Sequence, residues 1–232
     1  MNKIIAQISD MGKAFPTGES LFWALKKINL EFAKGEFTGI VGPSGSGKTT
    51  LLNILGSLDK PSEGEVEVLG SKINSLNQKR SSRLRAEHIG FIFQTYNLLQ
   101  VYTVYENVEF PLLLLKMDAK ERDKAVREAI EWVGLSDKIK SRPAQLSGGQ
   151  CQRVAIARAM VKKPALVLAD EPTANLDSEN SYHILDTMQK LNRDLGTTFI
   201  FSTHDQKVIK YLRRVIRLVD GEVTSDDLQT GI

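Results

Sequence analysis

The chain has 232 residues, 41% of them hydrophobic and 25% charged, which supplies a core and excludes a globally disordered polypeptide. A formal net charge of +3 neither suggests nor excludes a nucleic-acid partner. Cys151 is the sole cysteine, so no disulfide forms within the chain, which fits a reducing cytoplasm. The N-terminus (Met1-Asn2-Lys3-Ile4-Ile5) lacks the apolar stretch of a signal peptide, and no apolar run approaches the roughly 20 residues that cross a bilayer. The expectation is a polypeptide soluble by itself, whose membrane role, if it has one, comes through a partner.

In chain order, Ile28, Leu30 and Phe32 alternate with Lys27, Asn29 and Glu31, the pattern of a half-buried strand. Phe37–Val41 reads as a short buried strand ending in a Gly/Ser-rich turn. Leu51, Ile54, Leu55 and Leu58 then follow at helical spacing before Pro61. Short strands are expected at Glu65–Val68 and Ile89–Phe93. From about Thr103 to Val133 the pattern is helical, with Asp118 and Glu121 placed as a capping box and Val126, Ala129, Ile130 and Val133 on one face. Gly134 closes it. Helices at Ser147–Val161 and Asp177–Leu195 alternate with apolar runs at Ala165–Ala169 and Thr197–Phe201, which predicts a mainly parallel sheet flanked by helices. Asp220-Gly221 predicts a hairpin turn. No repeat or linker divides the chain, so residues 1–232 read as one domain.

Two segments carry chemistry. Gly42-Pro43-Ser44-Gly45-Ser46-Gly47-Lys48-Thr49, continued by Thr50, fits G-x-x-x-x-G-K-[ST] in full. Glycines let the backbone fold tightly and aim N–H groups at phosphate oxygens, and the following helix adds its positive end. Lys48 supplies a mobile charge for the outer phosphates, and Thr49 a hydroxyl for Mg²⁺. The second segment, Leu166-Val167-Leu168-Ala169-Asp170-Glu171, is an apolar strand ending in two carboxylates at the edge where open α/β sheets bind ligands. Asp170 is placed to hold Mg²⁺, and Glu171 is the candidate general base.

Leu146-Ser147-Gly148-Gly149-Gln150 resembles the signature of the ABC (ATP-binding cassette) ATPases, and Gln152-Arg153-Val154-Ala155-Ile156-Ala157-Arg158-Ala159 extends the likeness. Ser147 and Gln150 read as a capping box whose two glycines bare N–H groups at a helix start, a second anion site far from the first. The other family motifs follow in order. Gln94 resembles the glutamine that contacts Mg²⁺ and senses the membrane partner. Ala174-Asn175-Leu176-Asp177 resembles the D-loop, His204 the switch histidine at the γ-phosphate, and Phe15 the aromatic that stacks on adenine, with Phe22 and Trp23 nearby as other aromatics for that place. Cys151 departs from the polar residue the family often carries there and reads as packing.

The resemblance covers essentially the whole chain. It implies an α/β fold with a P-loop NTPase (RecA-like) core, an antiparallel β subdomain, and an inserted α-helical subdomain at approximately 95–160. It implies ATP and Mg²⁺ as cofactors and a head-to-tail dimer in which Ser147 and Gly149 of one copy cover ATP on the other. Coiled-coil insertions, zinc motifs and a second cassette are absent, so a transporter is expected over a DNA- or ribosome-acting protein, and no nucleic-acid partner is expected. Gly56–Gly64, Val104–Leu113 and Glu171–Asp177 resemble the lipoprotein-releasing and macrolide-exporter group, with cell-division cassettes and amino-acid importers as alternatives. The implied partner is a separate transmembrane permease. The implied location is peripheral, on the cytoplasmic face of a bacterial inner membrane.

Overall fold

The computed structural model describes residues 3–18 and 20–229. Its first strands, β1 (Ile4–Thr17) and β2 (Ser20–Ala33), form a long antiparallel hairpin. The expected alternation marks only the second half of β2, where Ile28, Leu30 and Phe32 are buried and Lys27, Asn29 and Glu31 exposed. Elsewhere bulges interrupt the period of two. The register shifts between Ile8 and Ala14, with Asp10 at φ 46° and Lys27 at φ 47°. β4 (Glu63–Val68) pairs with β1, and β5 (Ser71–Lys72) with β4, completing a four-stranded sheet in the order β2-β1-β4-β5.

The second sheet has the order β10-β9-β3-β8-β7-β6. β3 (Phe37–Val41), β6 (Ile89–Ile92), β7 (Leu166–Asp170), β8 (Thr198–Thr203) and β9 (Arg214–Val219) run parallel, and β10 (Glu222–Leu228) returns antiparallel to β9. Parallel strands are covered on both faces, which is why they read as apolar runs rather than alternations. Asp220 at φ 49° and Gly221 at φ 80° make the tight β9–β10 turn.

Each face of this sheet has its own core. Phe37, Phe199 and Phe201 pack with α3 (Val104–Leu114), α4 (Ala119–Trp132), α5 (Gly148–Met160) and α6 (Ser178–Leu195). Each such buried aromatic contributes about 1.5–3 kcal/mol of transfer free energy. Phe37 and Phe201 meet edge-on with ring centroids 4.7 Å apart. On the other face Ile40, Leu168 and Ile200 join Leu51, Ile54 and Leu55 of α1 (Lys48–Leu55) and the inner residues of the four-stranded sheet. Among the described residues the other α-helices are α2 (Gln78–His88) and α7 (Gln206–Ile209). Among the described residues, no helix is long and apolar enough to cross a membrane.

Three local expectations are corrected. α1 ends at Leu55, because Gly56 caps it and Ser57 turns to φ 53°, so Leu58 lies outside it and is 48% exposed. The stretch Thr103–Val133 is two helices, broken where Lys116 adopts φ 54°. Thr103 and Glu106 form the reciprocal capping box. The Asp118 carboxylate accepts from the backbone N–H groups of Lys120 and Glu121 without a return bond from Glu121.

Candidate functional site

The sheet register brings three strand ends to one edge: Val41 lies opposite Thr203, and Asp170 opposite Ser202. From β3 the chain enters the glycine-rich loop and leaves along α1. Gly47, at φ 102°, sits where a Cβ would lie 2.5 Å from the Ala24 carbonyl, so any side chain would be both strained and blocked. This turn points the N-terminal end of α1, with its unsatisfied N–H groups, into the crevice. Lys48, only 7% exposed, donates from Nζ to the carbonyls of Gly42 and Pro43, each at 2.9 Å. Thr49 Oγ1 donates to Asp170, 3.1 Å from Oδ2 and 3.3 Å from Oδ1.

These groups border a cavity of 570 Å³, within the range of small-molecule sites. Phe15, Ser44, Gly45, Gly47, Lys48, Thr49, Thr50, Gln94, Asp170, Glu171 and His204 all line it. Gly42 and Pro43 support it through their bonds to Lys48, and Ser46 is buried within the loop. Phe22 also lines it beside Phe15, as do Ala24 and Ser202, which the motifs did not indicate. Phe22 is opposite Phe15 across the hairpin, and the Lys13 ammonium stands 4.9 Å from the Phe15 ring centroid. Trp23 lines a different cavity, between β2 and the start of β10.

Glu171 is held on three sides. Its N–H donates to the Ser202 carbonyl at 2.9 Å, Thr203 Oγ1 donates to Oε2 at 3.2 Å, and His204 Nδ1 lies 2.6 Å from Oε1. The first bond fixes a backbone at φ 46°, unusual for glutamate. The His204 side chain is 70% exposed and that of Glu171 13%. The cluster of Thr49 and Asp170 offers oxygen donors alone, and the buried Ser202 hydroxyl beside it has no hydrogen-bond partner. Such a set fits Mg²⁺, which takes one or two protein oxygens and completes its shell with water and phosphate.

Ser147, Gly148, Gly149, Gln150 and Asp177 do not line this cavity. Ser147 and Gly148 are exposed at the start of α5. The Ser147 hydroxyl accepts from the Gln150 N–H at 3.3 Å, and the Gln150 side chain accepts from the Ser147 N–H at 2.9 Å. Gly149 is needed because a Cβ there would meet Asn180 Oδ1 at 2.5 Å. Asn180 in turn binds Asp177, the N-cap of α6, and its backbone N–H holds the Asp177 carboxyl below the ordinary carboxylate range. Asn175 donates to the Gln94 carbonyl at 2.9 Å, joining the 174–177 segment to the cavity's Gln94. Cys151 is buried behind the signature, and burial pushes its thiol up, consistent with packing.

The ABC transporter family pattern matches residues 25–174. The chain belongs to the ABC transporter family. The cassette is 45% identical over 224 residues to the lipoprotein-releasing system ATP-binding protein LolD of Francisella tularensis, covering 96% of this chain and 97% of that protein. It is 44% identical to the macrolide export ATP-binding/permease protein MacB of Marinobacter nauticus, covering 96% of this chain and 34% of that longer protein. Among solved structures, the dimeric ATP-binding cassette MJ0796 in a post-hydrolysis state bound to ADP and Pi superposes with a TM-score of 0.90. That likeness carries 42% identity and covers 98% of this chain and all of that one. The cassette therefore has the ABC ATPase fold and is an ATP-binding, ATP-hydrolysing subunit.

Proposed function

We propose that the cassette powers a separate permease of the lipoprotein-release or macrolide-export type by closing and opening a dimer around ATP. One observation carries the reading: the phosphate loop, Asp170, Glu171 and His204 share a cavity that the signature does not line, while Ser147 and Gly148 stand exposed at the start of α5. A copy that binds ATP on its own loop leaves its Ser147 free for a second copy's nucleotide. Two-fold symmetry then builds both composite sites at once.

Within each site, the N–H groups of the loop and the α1 terminus take the phosphates, with Lys48 moving from its two carbonyls to the outer phosphates. Phe15 and Phe22 offer aromatic surface to the base. Thr49, Asp170 and Gln94 would hold Mg²⁺, which supplies charge neutralisation at the phosphates when bound. Glu171 accepts the proton of the attacking water, and His204, exposed just after β8, turns to the γ-phosphate. Losing the γ-phosphate removes the contact that joins the copies, and the dimer opens.

Residues about 95–160 serve as a helical subdomain facing the permease. In support, a groove between α2, β6, α3 and α5 is lined by Phe91, Phe93, Phe110, Pro111 and Leu114, with Phe110 39% and Leu114 63% exposed. The cassette then sits peripherally on the cytoplasmic face of a bacterial inner membrane. Steady-state phosphate release tests the chemistry: Glu171→Gln is expected to lose at least about 10²-fold in turnover while still binding ATP. Wild-type turnover in that variant would remove Glu171 as the base.

A further inference from the structure

Ser202, Thr203 and His204 are consecutive, and each holds a different polar atom of Glu171. The ties differ in what they permit. His204 holds Oε1 from a side chain that is 70% exposed and free to leave. Thr203 holds Oε2 from a residue with no exposed surface, at the last position of β8. Its hydroxyl is fixed from behind: it accepts from the Asp205 N–H at 3.0 Å, which directs its own proton toward Glu171. Asp205 is fixed in turn, capping α7 through Lys207 N–H at 2.8 Å and accepting from the Thr173 hydroxyl at 3.2 Å. Thr173 lies two residues beyond Glu171 and is also buried. A closed ring of bonds thus runs from Glu171 through Thr203, Asp205 and Thr173 back to the same loop.

We infer that Thr203 is a positioning residue for hydrolysis: it anchors Glu171 Oε2, so that when His204 departs for the γ-phosphate, Oε1 alone is freed to take the water's proton. This rests on the assignment of Glu171 as base and His204 as the moving partner. Without the anchor, a carboxylate released by His204 would rotate about its terminal torsion, which has a broad and nearly two-fold profile. Neither oxygen would then be held against the attacking water. A misplacement of this size lowers turnover without touching ATP binding, because Thr203 does not line the nucleotide cavity.

The test is a series in the full-length chain. Thr203→Val removes the donor and keeps the branched shape; Thr203→Ser keeps the donor. Expected results are a fall in kcat on the order of 10–100-fold for Thr203→Val, with KM for ATP unchanged, and recovery of most of the activity in Thr203→Ser. If Thr203→Val does not fold, Thr203→Ala provides the same donor-free comparison. Wild-type kcat in the donor-free variant, a serine variant as slow as valine, or a loss that follows ATP affinity would each overturn the inference. Glu171→Gln, measured alongside, separates the layers. If it is inactive while Thr203→Val is normal, only the anchor is wrong. If it keeps turnover, the underlying assignment fails and takes the anchor with it.

Discussion

Replacing Ser147 with alanine separates stability from assembly. The hydroxyl accepts one hydrogen bond, from the Gln150 N–H at the start of α5, and the reciprocal bond from the Ser147 N–H to the Gln150 side chain does not depend on it. Loss of a helix N-cap costs about 1 kcal/mol. For a chain of this length that lowers Tm by about 2–4 °C. Ser147 is absent from the cavity holding Lys48, so ATP affinity of the isolated copy should not change. The dimer should suffer more. A hydrogen bond to a charged group contributes about 1.5–3 kcal/mol, and symmetry removes it twice, for about 3–6 kcal/mol in all. That corresponds to a dimer weakened by about 10²–10⁴-fold. Light scattering across a concentration series, in a hydrolysis-blocked background with ATP, measures this directly. A dimer as tight as the parent, or a parallel loss of ATP affinity in the isolated copy, would refute the assignment of Ser147 to the partner's nucleotide.

Two further outcomes follow from the same geometry. Lys48→Ala removes an ammonium already seated in the loop and should weaken ATP binding by at least tenfold, as read by equilibrium titration, since a single charged hydrogen bond is worth about 1.5–3 kcal/mol. Lys162 binds the carbonyls of Arg85 and Ala86 at the end of α2, and burial pushes its pKa down from 10.5 to about 8. Between those values the unfolded chain keeps a proton that the folded chain has released, so this residue's contribution to stability rises with pH. Urea unfolding at pH 7.5 and pH 10 should show the wild type gaining on Lys162→Met at the higher pH; parallel changes would contradict the burial of that charge.

The residues of the candidate site were legible in sequence where they lie close together in the chain. The phosphate loop, the Asp170-Glu171 pair and the Ser147–Gln150 cap each lie within a few positions, and the fold only had to bring the first two to one sheet edge. What stayed hidden depends on pairing across distance. β1 has no clean alternation because its bulges at Asp10–Lys13 reset the register, so the antiparallel sheet followed from family likeness rather than from periodicity. Sequence placed both Phe22 and Trp23 near Phe15, and only the register, with Phe22 opposite Phe15, separates the one that lines the cavity from the one that does not. Thr203 reads as one more β-branched residue in a buried strand until Glu171 is seen on the neighbouring strand's end. The break at Lys116 was invisible for another reason: apolar spacing continued through it, while the turn depends on one residue at positive φ.

If ATP joins two copies, the loop of one closes on the signature of the other. Analytical ultracentrifugation of Glu171→Gln reads that association as mass. The expected result is a monomer with ADP and a species of twice the mass with ATP, growing with protein concentration. A chain that stays monomeric with saturating ATP at every concentration, with or without its membrane partner, would contradict it.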